Sequence, residues 1–262
     1  MKQTKKIIHL AFPAMMENLL QMLMGVVDNY LVAQVGLIAV SGVSVANNII
    51  TIYQAIFIAL GAAVSSLVAK SRGEKNNEKT VQYQSEAILV TLGLSLVLGL
   101  FSLLFGKTIL HWLGTETTVT QAGGLYLAIV GGLIVSLGLM TTLSAFLRAL
   151  GKPKLPMYVS LLSNVLNAIF SAVSVFVFHW GIAGVACSTV LSRFIGTLLL
   201  ASQLPMSNIL KTIKWHLDSD LLKIVLPAAG ERLMMRAGDV VIVAIIVKFG
   251  TEFVAGMLLG KP

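Results

Sequence analysis

No Asp, Glu, Lys or Arg occurs in the forty-one residues between Asp28 and Lys70. The same silence returns from Ala87 to Gly106, from Thr117 to Leu147 and from Leu155 to Ser192. A water-soluble domain cannot bury that much contiguous apolar chain. A bilayer requires it, because each helical crossing needs about 20 apolar residues and leaves no backbone group unpaired. The charge-free runs therefore predict an all-α integral membrane protein, and functional residues are to be sought among the few polar groups held inside the spans.

Composition agrees, with 56% hydrophobic and 11% charged residues, against about 25% charged in a typical soluble protein. The net charge of +8 does not point to nucleic acid. Its carriers cluster in short loops between apolar runs, where they orient the protein and meet anionic headgroups. The single cysteine, Cys187, excludes an intramolecular disulfide and a cysteine metal cluster, and it sits among small residues as a packed thiol. Lys2, Lys5 and Lys6 ahead of an apolar run imitate a signal peptide. The run continues past any cleavage point, so it is read as a first membrane helix.

Seven spans are predicted: 7–32, 45–69, 87–105, 123–147, 157–178, 182–204 and 221–249. Basic residues fall in alternate connections: the N-terminal tail; Lys70, Arg72, Lys75 and Lys79; Arg148, Lys152 and Lys154; and Lys211, Lys214 and Lys223. The positive-inside rule then places the N-terminus and these loops in the cytoplasm, and the protein in the cytoplasmic membrane. Trp112, Trp180 and Trp215 lie near span ends, at the interface. Glycines within spans, such as Gly61, Gly93, Gly99, Gly131, Gly132 and Gly138, are read as packing positions. Arg148 to Pro153 is a helix stop with a basic anchor, not a phosphate loop. Without a Walker lysine or a soluble domain in these residues, direct ATP drive is not expected, nor is a cofactor.

A shift of 214 residues lays the end of the chain on its beginning. Pro13-Ala14 meets Pro227-Ala228, Glu17 meets Glu231, Leu19 meets Leu233, and Val26-Val27 meets Val240-Val241. Gly36 and Gly42 meet Gly250 and Gly256 without a gap. Six spans precede the repeat, so a second unit starts on the same side as the first, the parallel arrangement of two bundles about an axis along the membrane normal. The expected organisation is a six-helix bundle over 1–204, a cytoplasmic linker over 205–220, and the first helix of an incomplete second bundle over 221–262. The chain is expected to be a fragment or a truncated product, with the missing bundle as its partner.

In this order the sequence resembles the N-terminal half of multidrug and toxic compound extrusion (MATE) transporters, nearer the DinF-like and multidrug-export members. The resemblance rests on Pro13 with Glu17-Asn18-Leu19-Leu20-Gln21 and Asp28, on Gly61 to Ala69 ahead of Gly73, and on Phe146 to Met157. It continues through Asn164-Val165-Leu166-Asn167, Gly181 to Ala186, and Pro227 to Gly256. It implies an exporter of small cationic compounds driven by H⁺ or Na⁺. It also implies coupling roles for the carboxylate at Asp28 and the amides at Asn164 and Asn167. Many members carry an Asp where this chain has Ser171, which leaves Asp28 with more of the coupling.

The residues themselves bear separate readings. An ionised Asp28 facing lipid is costly, so it faces the interior, snorkels, or holds a proton. Asn164 and Asn167, at i and i+3, share one helix face. Their carbonyl oxygens suit a protonated Asp28 or a Na⁺ ion, and their NH₂ groups suit an ionised carboxylate. Interhelical glue is the plainer role. Tyr30, Gln34 and Asn47 are peripheral candidates. Glu17 and Glu231 either attract a cation to a central cavity or pair with Arg; Asp239 stands i+3 from Arg236. Arg193 either lies toward the cytoplasmic end or pairs across helices. Rival readings are a lipid-linked precursor flippase and a truncated membrane protein without transport. An intramembrane enzyme is disfavoured, because no His, Asp and Glu cluster is assembled within the spans.

Overall fold

A computed structural model describes residues 15, 16, 19, 23, 25–212, 221, 223–236 and 238. The described residues are helical throughout, with short turns between. Helix α1 covers 25–33, α2 Leu37–Gly73 and α3 Asn77–Trp112. Helix α4, Thr117–Tyr126, runs into a π-helical turn, Leu127–Gly131, and then α5, Val135–Ala149. Helices α6, Lys154–Phe176, and α7, Gly181–Ser202, follow, then the short α8, Met206–Lys211, and α9 over 223–236. Among the described residues, four helices are individually long and apolar enough to cross a bilayer, and the bent pair taken as one span makes a fifth. The spans expected at 7–32 and 221–249 lie partly outside the described residues.

Burial runs opposite to that of a soluble protein. On α3, Leu96 and Leu104 are 64% and 71% exposed, whereas Thr91 and Ser102 are 0% and 2%. The buried positions Gln84, Ile88, Thr91, Ser95, Gly99, Ser102 and Gly106 recur every three or four residues and form one stripe. Between membrane helices there is no hydrophobic gain from hiding leucine from lipid. Small and hydroxylated residues take the interface because they let backbones approach and close hydrogen bonds. Thr91 Oγ1 meets Thr142 Oγ1 of α5 at 2.8 Å, and Ser102 Oγ donates to the Tyr53 hydroxyl of α2 at 3.1 Å.

Two spans exceed their sequence expectation. Helix α2 starts at Leu37 and not near Val45, and its 37 residues reach about 55 Å at 1.5 Å per residue, more than the hydrocarbon thickness. Helix α3 starts ten residues before its apolar run, where the Asn76 side chain accepts from the Lys79 amide at 3.0 Å and caps the end. The added turns of α2 lie at the end away from the basic loops, and those at the start of α3 lie beside them.

The fourth span, expected as one helix, is broken: the Thr117–Gly131 segment and α5 bend by 45°. A π-turn drops one i→i−4 register, and Gly131-Gly132 supplies no side chain to resist the bend. The glycines are held by neighbours: a Cβ on Gly131 would stand 2.7 Å from Ser102 Oγ. At Gly42 of α2 and Gly123 of α4 the backbones themselves touch, and a Cβ on Gly123 would meet the Gly42 carbonyl oxygen at 2.6 Å.

Helix α5 ends at Gly151, whose φ of 78° is the left-handed region that glycine enters freely. Gly151 N–H donates to the Arg148 carbonyl at 3.0 Å and Lys152 N–H to that of Leu147 at 2.9 Å, the two closing bonds of a Schellman stop. Arg72 Nη1 donates to the Leu150 carbonyl at 2.7 Å, pinning the end of α2 to this corner. The corner sets the start of α6, which packs on α7 most extensively of all helix pairs.

Candidate functional site

Where α1, α2, α4, α5, α6 and α7 converge, the bundle holds a cavity of about 330 Å³. Its wall includes Asp28 of α1, Asn47 of α2, Tyr126 of α4, Asn164 and Asn167 of α6, and Thr189 and Arg193 of α7. Four of them share one depth. Asn47, Tyr126, Asn167 and Thr189 each stand about nine residues, roughly 14 Å, in from the end of the bundle opposite the basic loops. Polar groups from chain segments far apart in sequence thus meet at one level.

The α6–α7 seam sets that level. Gly184, Ser188, Ser192 and Gly196 repeat every four residues on α7 and face Ser160, Ser163, Asn167, Ser171 and Ser174 on α6. A Cβ on Gly184 would lie 2.6 Å from that of Ser174, and one on Gly196 would collide with Ser163 Oγ. Ser163 Oγ donates to the Ser192 carbonyl at 3.2 Å, and Ser174 and Ser188 hydroxyls meet at 3.3 Å. With the two backbones this close, Asn167 reaches both the seam and the cavity.

Asn167 joins Asp28 to α7. Its Nδ2 donates to Asp28 Oδ1 at 2.8 Å, and its Oδ1 accepts from the Thr189 hydroxyl at 3.0 Å and from the Thr189 amide at 3.2 Å. This arrangement braces an ionised carboxylate.

Arg193 shares the cavity, and its charge acts on both Asp28 and Tyr126. The Tyr126 hydroxyl is itself within hydrogen-bonding reach of Asn47 and Thr189. Arg193 Nη1 is buried and has no hydrogen-bond partner among the described residues, and the same holds for Asn164 Nδ2. Oxygen donors on this wall, from Asp28, Asn47, Asn164, Asn167 and Thr189, are the hard ligands a Na⁺ ion takes. The nearby guanidinium opposes a second positive charge.

Of the other sequence candidates, Asn47 lines the cavity. Tyr30 and Gln34 are exposed, outside the lining, beyond Asp28 toward the α1–α2 turn. Ser171 is fully buried one turn past Asn167 with an unpartnered Oγ, also outside the lining. Glu231 is exposed on α9; Glu17 and Asp239 lie outside the described residues. Tyr126, Thr189, Thr51 and Gln54 line the cavity without having been singled out, since uncharged Thr, Gln and Tyr are ordinary in membrane helices. Arg193 did carry a signal, being the charge that ends the run from Leu155 to Ser192.

A family model described as MatE matches residues 13–173. The probable multidrug resistance protein NorM of Thermotoga maritima is 26% identical over 266 residues, covering 98% of this chain and 57% of that protein. The multidrug export protein MepA of Staphylococcus saprophyticus is 25% identical over 195 residues, covering 74% of this chain and 43% of its own length. A crystal structure of MATE in complex with MaD3S shares the fold, with a TM-score of 0.85 at 18% identity over 93% of this chain and 57% of that one. The chain spans about half the length of the curated relatives it matches.

Proposed function

Because this chain belongs to the MatE family, we propose that it forms one helical bundle of a secondary active exporter that moves small amphipathic molecules across the cytoplasmic membrane. Residues 1–204 make the bundle, 205–220 link it onward, and 221–262 open a parallel second bundle that completes the transport path. Asp28 is the group on which the coupling ion is exchanged. The observation that carries this reading is the one cavity lined by Asp28, Asn164 and Asn167, with Asn167 Nδ2 donating to Asp28 Oδ1 at 2.8 Å.

In the proposed cycle, H⁺ arriving from outside neutralises Asp28. Neutralisation weakens the bond that Asn167 Nδ2 makes to the carboxyl and loosens the α1–α6 contact. Loss of the carboxylate charge removes the attraction for a cationic substrate, which leaves. Each elementary charge moved inward across 100 mV supplies about 2.3 kcal/mol for the uphill step. Na⁺ at the same oxygens would mask the charge in the same way, but it must enter beside Arg193, and this favours the proton. The cationic substrate expected from the family meets one carboxylate here, offset by one guanidinium.

The experiment joins this chain to the C-terminal portion of the Thermotoga maritima relative and follows ethidium efflux from a drug-sensitive strain. Asp28→Asn is expected to reduce gradient-dependent efflux at least tenfold with the protein still in the membrane. Efflux that survives and still responds to the gradient would remove Asp28 from coupling. Orientation is tested separately by single cysteines in a Cys187→Ser background. Lys75→Cys should be shielded from an impermeant maleimide in intact cells and Glu116→Cys labelled.

A further inference from the structure

The cavity holds more hydrogen-bond donors than it can use. Asn164 Nδ2 and Arg193 Nη1 are both buried and both lack a partner among the described residues. They belong to neighbouring helices at one level, because Ser163 and Ser192, the residues just before them, touch across the seam. Both line the same space. Buried donors, above all a charged one, are costly when left unpaired. No acceptor among the described residues satisfies them, since Asn167 Oδ1 accepts from Thr189 and Asp28 Oδ1 accepts from Asn167 Nδ2.

We propose that Asn164 and Arg193 form an anion subsite, and that this cavity takes amphipathic ligands bearing a carboxylate or a similar oxyanion. This deepens the exporter reading, on which it rests, by naming the substrate class of the same site. A planar guanidinium beside an amide N–H matches the two oxygens of a carboxylate. Met140 and Leu137 on α5 border the same cavity and offer apolar surface to the remainder of the ligand.

The subsite gives the ligand a pH dependence of definite sign. The charged and titratable groups facing Arg193 are Asp28 from α1 and Tyr126 from α4. Those that α2 and α6 present are neutral: Asn47, Thr51, Gln54, Asn164 and Asn167. Ionised Asp28 repels a carboxylate and competes with it for the guanidinium. Protonation of Asp28 therefore strengthens anion binding, whereas it weakens binding of a cation.

The test uses the 262-residue chain in phosphatidylcholine nanodiscs, with two probes of like shape: naphthalene-2-carboxylate and naphthalen-2-ylmethylammonium. By calorimetry the carboxylate is expected to bind at least fivefold more tightly than the ammonium at pH 6, with affinity falling toward pH 8. Arg193→Gln should cost it tenfold or more, and Arg193→Lys should restore part of the loss. Asp28→Asn should keep carboxylate binding and flatten its pH dependence. The preference and pH slope of the unaltered chain stand even if a variant fails to fold. Preference for the ammonium, lost in Asp28→Asn, would overturn the anion subsite and leave the exporter reading in place. Failure of both probes to bind would overturn the two together.

Discussion

Helices α6 and α7 present two polar faces a single residue apart, and the two are built on opposite rules. On the seam, Ser163, Asn167, Ser174, Ser188, Thr189 and Ser192 are buried and hydrogen-bonded, and Gly184 and Gly196 let the backbones meet. On the cavity side, Asn164 and Arg193 each leave a buried nitrogen unpaired. Polar residues in a membrane helix are often grouped together as costly and therefore functional. Here the satisfied ones hold the helices together, whereas Asn164 and Arg193 are unsatisfied and also line the cavity; Ser171 is unsatisfied within the seam and outside the lining. An unmet donor that opens on the cavity, not an unmet group alone, marks where something else is received.

The sharpest way to break this distinction is at the tightest point of the seam. Gly184→Leu would drive a branched side chain into Ser174, whose Cβ already stands 2.6 Å from where a Cβ would sit. Overpacking of this kind costs about 1–3 kcal/mol where neighbours can yield, and two helix backbones cannot yield easily. The expected result is a large fall in detergent-solubilised, monodisperse protein and a lowered melting temperature. A melting curve like that of the parent would show that the α6–α7 contact does not govern stability.

Asn167→Ala comes next. It removes the bonds to Asp28 and Thr189, and interhelical hydrogen bonds in membranes contribute about 0.6 kcal/mol, up to roughly 1.7. The expected loss is therefore about 1 kcal/mol in reversible unfolding, accompanied by loss of ion-coupled transport in the joined protein. Coupling that persists with stability reduced would assign Asn167 wholly to the seam.

The spans between residues 37 and 202 were legible in the sequence because absence of charge is a strong signal. Their lengths were not. Helix α3 starts at Asn77, ten residues ahead of its apolar run and capped by Asn76, since a helix continues past the hydrocarbon wherever its backbone bonds close. The break at Leu127–Gly131 was also hidden, because Gly131-Gly132 reads the same whether it permits close packing or a bend. At the site, Asp28, Asn164 and Asn167 were legible as polar exceptions in apolar helices, and Asn47 as a weaker one. Tyr126 and Thr189 were not, because nothing in a single span says which faces will meet. Arg193 was visible as a charge, but its place opposite Asp28 depends on how α1 and α7 cross, which no local pattern encodes.

The smallest expected effect on stability is the most discriminating. Asn164 has a buried Nδ2 that bonds to nothing described, so replacing it removes an unmet donor and a modest amount of volume. Truncations that leave a buried group unpaired are the expensive kind, and Asn164→Ala leaves none. Unfolding should shift by less than about 0.5 kcal/mol in either direction, against about 1 kcal/mol for Asn167→Ala three residues away. If the amide belongs to a ligand, the same change weakens naphthalene-2-carboxylate binding severalfold, and the two readouts move apart. If stability falls as far as in Asn167→Ala while binding is untouched, Asn164 is seam as well, and the contrast between the two faces of α6 is lost.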